Sequence, residues 1–494
     1  MNVKLILKTL GKVLYIQAAY MTLSVAVSLY YMHHGATDES LWPFLIPIAA
    51  MLAAAVPLTA LKVHNTIFNA REGMVAVALI WVTMSVFGAM PFAIHGGFGT
   101  VIDCFFESAS GFSTTGASIL REIEHLPKSI LFWRSATHWL GGMGILVLAL
   151  ALFPSIGERA QNLMAAESPG PTSEKLTARI STSSKILYAI YTGLTLAQII
   201  CLLLAGLGLY DAVVTALATA GTGGFSVMNA SMAGYGNVAA EVVTTVFMGL
   251  FGINFTVFFL LITGQLRKAF RNSELLLYLG SILGAITLIA LNIYSMYGSL
   301  GETLRYASFN AVSVITTTGF SNCDFAKWPT FSHFVLVLLM LMGASAGSTG
   351  GGIKGSRVLI LLKSVVREIK RLVTPKRVSV LRMNGKPVPE TTVTNTLVFT
   401  AVYALIALGA TLIVSACEQA PGYDFTTNVT AVISCLSNIG PALGRVAGPA
   451  GNYAGFSQVS KLVLSVCMLT GRLEIFPMIV LLTPATWKNA SLRK

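Results

Sequence analysis

The sequence predicts an all-α polytopic membrane protein. Four repeated span–short helix–span units surround a pseudo-fourfold axis, and two extra transmembrane helices precede them at the N-terminus. Three observations carry this prediction. The chain of 494 residues is 54% hydrophobic with only 11% charged residues, against about 25% charged in soluble domains; its mean hydropathy is +0.73. Apolar runs of about 20 residues, long enough to cross a ~30 Å hydrocarbon core as helix, recur along the chain. A short segment ending in Ser, Thr and Gly stands between paired runs four times.

The first run, Val13 to Met32, follows Lys4, Lys8 and Lys12. It exceeds the apolar core of a secretory signal and reads as a retained span. With the run at 41–62 it forms an N-terminal pair over residues 1–66. The repeats then follow. Repeat 1 (67–160) has spans at 73–95 and 129–153, and repeat 2 (180–268) at 185–209 and 238–264. Repeat 3 (270–365) has spans at 274–297 and 331–362, and repeat 4 (390–486) at 394–417 and 457–483. Ten spans result. The run at 331–362 is longer than a span requires, and a glycine cluster interrupts it.

Orientation follows from where Lys and Arg fall. With a cytoplasmic N-terminus and alternating spans, 24 of the 33 basic residues lie inside. Seven lie outside: Arg121, Lys128, Arg134, Arg305, Lys327, Arg445 and Lys461. Lys354 and Arg472 fall within spans. Both termini are therefore expected in the cytoplasm, and the net charge of +13 is a topology signal, not a nucleic-acid footprint. The basic block from Arg357 to Lys386 obeys the same rule and also suits a cytosolic subunit or anionic lipid. Six scattered cysteines and seven histidines form no metal-binding or disulfide pattern.

The four short segments read "FFESASGFSTTGAS", "VTALATAGTGGFS", "NAVSVITTTGFS" and "TAVISCLSNIGPAL". Their aligned glycines, Gly116, Gly224, Gly319 and Gly440, are spaced 108, 95 and 121 residues apart. Such a period marks an internal repeat. Six residues before each glycine stands a small residue (Ser110, Ala218, Ser313, Ser434), which suits close helix packing. Non-helical backbone at membrane depth survives only when buried in protein or lining a watery cavity. Four such strands around one axis are suited to line a pore with carbonyl oxygens, which replace the hydration shell of an alkali cation. The short helices, as pore helices, would aim their partial negative C-terminal ends at that axis.

The cluster "GASAGSTGGGIKGS" (343–356) nearly matches a nucleotide-binding phosphate loop, but its register fails. With Gly347 and Gly352 aligned, Ile353 takes the lysine position and Gly355 follows Lys354 where Ser or Thr is required. An apolar helix precedes it in place of a strand. A membrane ATPase is thereby set aside. The cluster reads as a break in a pore-lining helix, a plug below the third strand, whose removal is expected to raise flux without altering selectivity. Lys354 either snorkels to the inner interface or joins this loop. Arg472, mid-span in "LTGRLEIF", either pairs with Glu474 or places its charge in a cavity beneath the strands.

These strands, together with "HWLGGMGILVLALALFP" (138–154), the 343–356 cluster and "MLTGRLEIFP" (468–477), resemble the Trk/Ktr/HKT superfamily of potassium transporters over essentially the whole chain. The resemblance implies a non-enzymatic homodimer in the bacterial inner membrane that moves potassium as its substrate. It implies no bound cofactor and a cytosolic nucleotide-binding regulatory subunit of the TrkA type as partner. It implies a selectivity filter of Thr114, Thr115 and Gly116; Thr222, Gly223 and Gly224; Thr317, Thr318 and Gly319; and Asn438, Ile439 and Gly440. It further implies a gate loop comprising Gly343, Gly347, Ser348, Thr349, Gly350, Gly351, Gly352 and Lys354, with Arg472 as an electrostatic barrier. In that superfamily, glycine in all four strands accompanies potassium selectivity, and serine in the first accompanies sodium in some plant members; here the first is Gly116. The fourth strand departs, reading Asn438-Ile439-Gly440-Pro441, so a less symmetric filter is expected. A less selective potassium/sodium transporter or an ion-coupled symporter stays as the alternative.

Overall fold

The computed structural model describes residues 1–63, 68–144, 180–374 and 379–488. An N-terminal helix pair, α1 (Val3–His33) and α2 (Trp42–Ala60), packs against α3 (Ala70–His95). Next come α4 (Val101–Phe112) and α5 (Lys128–Gly142), then α6 (Ile180–Leu204), α7 (Leu209–Ala220) and α8 (Val238–Phe251). The third group is α9 (Phe255–Ile262), α10 (Leu266–Phe270), α11 (Ser273–Tyr297), α12 (Leu300–Ile315), α13 (Thr330–Met342) and α14 (Gly355–Val373). The last is α15 (Glu390–Cys417), α16 (Phe425–Ser437), α17 (Gln458–Arg472) and α18 (Phe476–Leu482). A two-residue antiparallel ladder, β1 (Arg382–Met383) with β2 (Lys386–Pro387), is the one departure from all-α among the described residues.

Six described helices are long and apolar enough to cross a membrane, or seven if the bent pair α8–α9 counts as one. Of the ten spans expected from hydropathy, only that at 331–362 was expected to be interrupted, and the structure breaks others as well. The first span of each repeat is a single long helix: α3, α6, α11 and α15. The second is interrupted in the described residues of repeats 2, 3 and 4. The pair α8–α9 bends by 92° at Gly252–Asn254. The 343–354 loop separates α13 from α14, and α17 stops at Arg472, where Glu474 and Ile475 adopt positive φ of 58° and 70°. In repeat 1, α5 ends at Gly142, and the rest of the expected 129–153 span from 145 onward lies outside the described residues. Hydropathy averages over a window, and of these breaks only the glycine cluster at 343–354 stands out in the sequence.

Two of the four short helices, α4 and α16, start on polar side-chain caps. Thr100 accepts from the Asp103 backbone N–H, whose carboxylate accepts in return from Thr100 N–H; the Asp424 carboxylate accepts from Thr427 N–H. These bonds satisfy first-turn donors that lipid cannot. Packing closes a circuit. The helix following each glycine strand lies against the next short helix: α5 on α7, α8 on α12, α13 on α16, and α17 back on α4. Large apolar side chains remain on the outer surface, Leu405, Leu408 and Leu412 of α15 among them.

Candidate functional site

Each short helix ends in the same backbone manoeuvre. Two residues before the strand glycine, Thr114, Thr222, Thr317 and Asn438 take positive φ of 57°, 54°, 58° and 59°. A β-branched residue in this region is strained and persists only where its surroundings hold it. What holds it is one bond repeated in all four strands. The N–H immediately before the glycine (Thr115, Gly223, Thr318, Ile439) donates over 2.9 Å to the carbonyl six residues before the glycine (Ser110, Ala218, Ser313, Ser434). The small residues at these positions are wholly buried. In strands 3 and 4 their hydroxyls also donate to the carbonyl just after the glycine, Ser313 to Phe320 at 2.6 Å and Ser434 to Pro441 at 2.9 Å.

The strands meet edge to edge. A Cβ at Gly116 would fall 1.9 Å from the Gly223 carbonyl oxygen, and one at Gly224 would fall 2.1 Å from that of Thr318. At Gly319 it would fall 1.9 Å from that of Ile439, and at Gly440 2.6 Å from that of Thr115. Strand 1 thus abuts strand 2, 2 abuts 3, 3 abuts 4, and 4 returns to 1. Glycine is required twice over, by its positive φ and by the neighbouring carbonyl. The fourth strand keeps this geometry with its own chemistry. Asn tolerates positive φ better than Thr, and the Asn438 amide donates to Thr115 Oγ1 at 3.0 Å and to the Met468 carbonyl at 2.8 Å. Tyr453 donates to the Gly440 carbonyl at 2.8 Å.

The glycine cluster lies directly against strands 3 and 4 where they leave their short helices. Gly351 N–H donates to Thr317 Oγ1 at 2.6 Å, and a Cβ on Gly351 would fall 2.2 Å from the Ser437 carbonyl oxygen. The α8–α9 bend grips the loop from repeat 2: Ser345 N–H donates to the Gly252 carbonyl at 3.1 Å, and Phe255 N–H to the Gly347 carbonyl at 3.0 Å. Buried Glu274 of α11 staples both ends, one carboxylate oxygen accepting from Ala346 N–H at 2.7 Å and Ser356 N–H at 2.8 Å. Lys354 is buried and its ammonium donates to the Gly350 carbonyl, so it belongs to the loop and does not snorkel.

Arg472 reaches across the site. Its guanidinium donates to the Thr349 carbonyl of the loop at 2.7 Å and to the carbonyls of Gly141, at 2.6 Å, and Gly142, at the end of α5. It does not form the ion pair with Glu474 that proximity in sequence suggested. Glu474 pairs with Arg357 at the start of α14 instead, and the Arg357 guanidinium lies 3.9 Å over the Phe399 ring.

The profile of the TrkH family, described as cation transport protein, matches residues 44–489. The chain belongs to the TrkH family of cation transport proteins. Among proteins similar to it, the Trk system potassium uptake protein TrkH of Salmonella typhimurium is 36% identical over 426 residues, covering 85% of this chain and 87% of that protein. The TrkH protein of Halomonas elongata is 33% identical over 497 residues, with 99% and 100% covered. The crystal structure of the potassium transporter TrkH from Vibrio parahaemolyticus superposes with a TM-score of 0.86 at 31% identity, covering 99% of this chain and all of that one.

In this TrkH-family chain, the twelve strand residues named from sequence come together in one ring, and the eight loop residues lie at its inner side with Arg472 touching them. Sequence reasoning missed the groups that hold the ring and loop. Besides Glu274, these include the buried pair Glu107–Arg134, at 2.7 Å, with Arg134 also reaching the Ser226 carbonyl at 3.2 Å. Lys461 donates to Asp103 at 2.6 Å, and Glu241 takes a bidentate bond from Arg305 at 2.8 and 2.6 Å. The available signal was polarity itself: charges this costly in lipid need named partners.

Proposed function

We propose that the chain takes up potassium across the bacterial inner membrane through a filter of backbone carbonyls, with both termini in the cytoplasm. The closed ring of four glycine strands carries this reading. The carbonyls of Thr115, Gly223, Thr318 and Ile439 occupy the same position in each strand, and uncharged oxygens replace water around a potassium ion without trapping it. Partial negative ends of the four short helices favour a cation there.

The 343–354 loop is the gate. On this reading it closes the inner exit, and the bonds to Glu274, the α8–α9 bend and Arg472 that hold it support the assignment. Opening requires these bonds to break, and the guanidinium then stands beside the path as a positive barrier that hastens ion exit. Arg357 and the basic segment after it connect the loop to the cytoplasmic face, where a nucleotide-binding subunit of the TrkA type pulls on α14. The working unit is a homodimer in lipid, with potassium as substrate.

The test is growth at low potassium of a bacterium lacking its own uptake systems, with the cytosolic partner supplied. The wild type is expected to rescue growth. Gly116→Ser, whose Cβ meets the Gly223 carbonyl, is expected to rescue poorly and to admit sodium. Failure of the wild type to rescue would overturn potassium uptake as the function.

A further inference from the structure

Strand 2 reads Gly221-Thr222-Gly223-Gly224, with glycine where strands 1 and 3 carry Ser113 and Thr115 or Thr316 and Thr318. One residue of α5 lies against both glycines, with its backbone at Gly221 and its side chain at Gly223. His138 of α5 is wholly buried against the back of strand 2. A Cβ on Gly223 would fall 2.2 Å from its ring, and one on Gly221 would fall 2.2 Å from its carbonyl oxygen. The ring also bonds at both nitrogens. Nδ1 lies 2.8 Å from the Gly111 carbonyl of the first short helix, and Nε2 accepts from Phe225 N–H, just after the strand-2 glycine, at 3.3 Å. These partners fix a neutral imidazole protonated on Nδ1. The Phe225 ring lies 4.2 Å from the imidazole, and the Arg134 guanidinium, one helical turn earlier on α5, lies 4.1 Å from the same ring.

We infer that His138 is a positioning residue for ion selectivity: its ring takes the place of the side chain missing at Gly223 and sets that strand's distance from the axis by a bond to Phe225. The inference rests on the strands acting as the filter. No other strand is held this way among the described residues. Strands 1 and 3 carry hydroxyl pairs of their own, Ser113 with Thr115 at 2.7 Å and Thr316 with Thr318 at 2.8 Å, besides the bonds that Thr115 takes from Asn438 and Thr317 from Gly351. Strand 4 uses Asn438 and Tyr453. In strand 2 the brace comes from the preceding repeat, so its register depends on an imidazole and not on its own side chains.

The experiment measures the potassium-to-sodium permeability ratio of purified protein in proteoliposomes for the wild type, His138→Gln, His138→Met and His138→Ala/Gly223→Thr. Gln keeps an acceptor and a donor, whereas Met fills the space without either bond. His138→Met is expected to assemble yet lose about tenfold in the ratio, the change one lost hydrogen bond produces. His138→Gln is expected to stay within about threefold of wild type by the same reasoning. The double variant, which gives strand 2 the threonine of strands 1 and 3, is expected to recover most of the ratio. Equal ratios for folded Gln and Met variants would overturn the inference. So would a Met variant that fails to assemble while Gln is normal, because the role would then be structural. A wild type with no preference for potassium would instead refute the filter reading itself.

Discussion

Replacing Glu274 by alanine is expected to free the gate loop. The carboxylate accepts two backbone N–H groups, from Ala346 and Ser356, at opposite ends of the loop. Hydrogen bonds to a charged acceptor contribute about 1.5–3 kcal/mol each, so the pair favours the closed arrangement by about 3 kcal/mol or more. At about 1.4 kcal/mol per tenfold, the open-to-closed ratio shifts by about two orders of magnitude. Glu274→Gln keeps an acceptor oxygen but loses the charge, which roughly halves the strength of each bond and gives about a tenfold shift. The assay is rubidium uptake into proteoliposomes without any cytosolic partner, normalised to protein incorporated. Flux is expected to rise in the order wild type, Gln, Ala, with selectivity little changed in Gln. Wild-type flux from a folded alanine variant would refute the role assigned to this staple.

Other perturbations have equally definite outcomes. Arg472→Met removes the donors to Thr349, Gly141 and Gly142, and basal flux is expected to rise about tenfold; unchanged flux would separate Arg472 from the gate. Arg134→Gln leaves Glu107 buried without its partner, at a cost of about 3–5 kcal/mol. Glu107→Gln/Arg134→Gln is expected to cost less, read by thermal denaturation in detergent. Deleting residues 343–356 is expected to raise flux and also to lower the potassium-to-sodium ratio, because Gly351 braces Thr317; an unchanged ratio would show that the loop and strands are independent.

That last expectation differs from the one drawn from sequence, which treated the gate as separable from the filter. The four strands were legible because each needs a glycine for two local reasons and polar residues before it, and a fourfold recurrence makes the pattern hard to mistake. The break at 343–354 was legible because five glycines cluster there. The breaks after α8 and α17 were not, since neither has a glycine cluster: Gly249 and Gly252 stand in an apolar run, and Gly471 stands alone beside Arg472. The structure gives the reason for Gly471: a Cβ there would fall 1.9 Å from the Leu436 carbonyl oxygen. Glu274, 72 residues from Ala346, and Arg357, 117 residues from Glu474, pair across distances that no local pattern encodes. His138 was quoted within a motif, yet its partner Phe225 lies 87 residues away in the next repeat.

The most direct measurement is to locate the ion. Crystals of the protein grown or soaked in rubidium or thallium salts, with anomalous differences collected, report heavy-cation positions directly. Density is expected on the axis of the ring, at the level of the carbonyls of Thr115, Gly223, Thr318 and Ile439, and weakened by sodium exchange. Protein that transports rubidium in vesicles yet shows no density within the ring would contradict the filter reading.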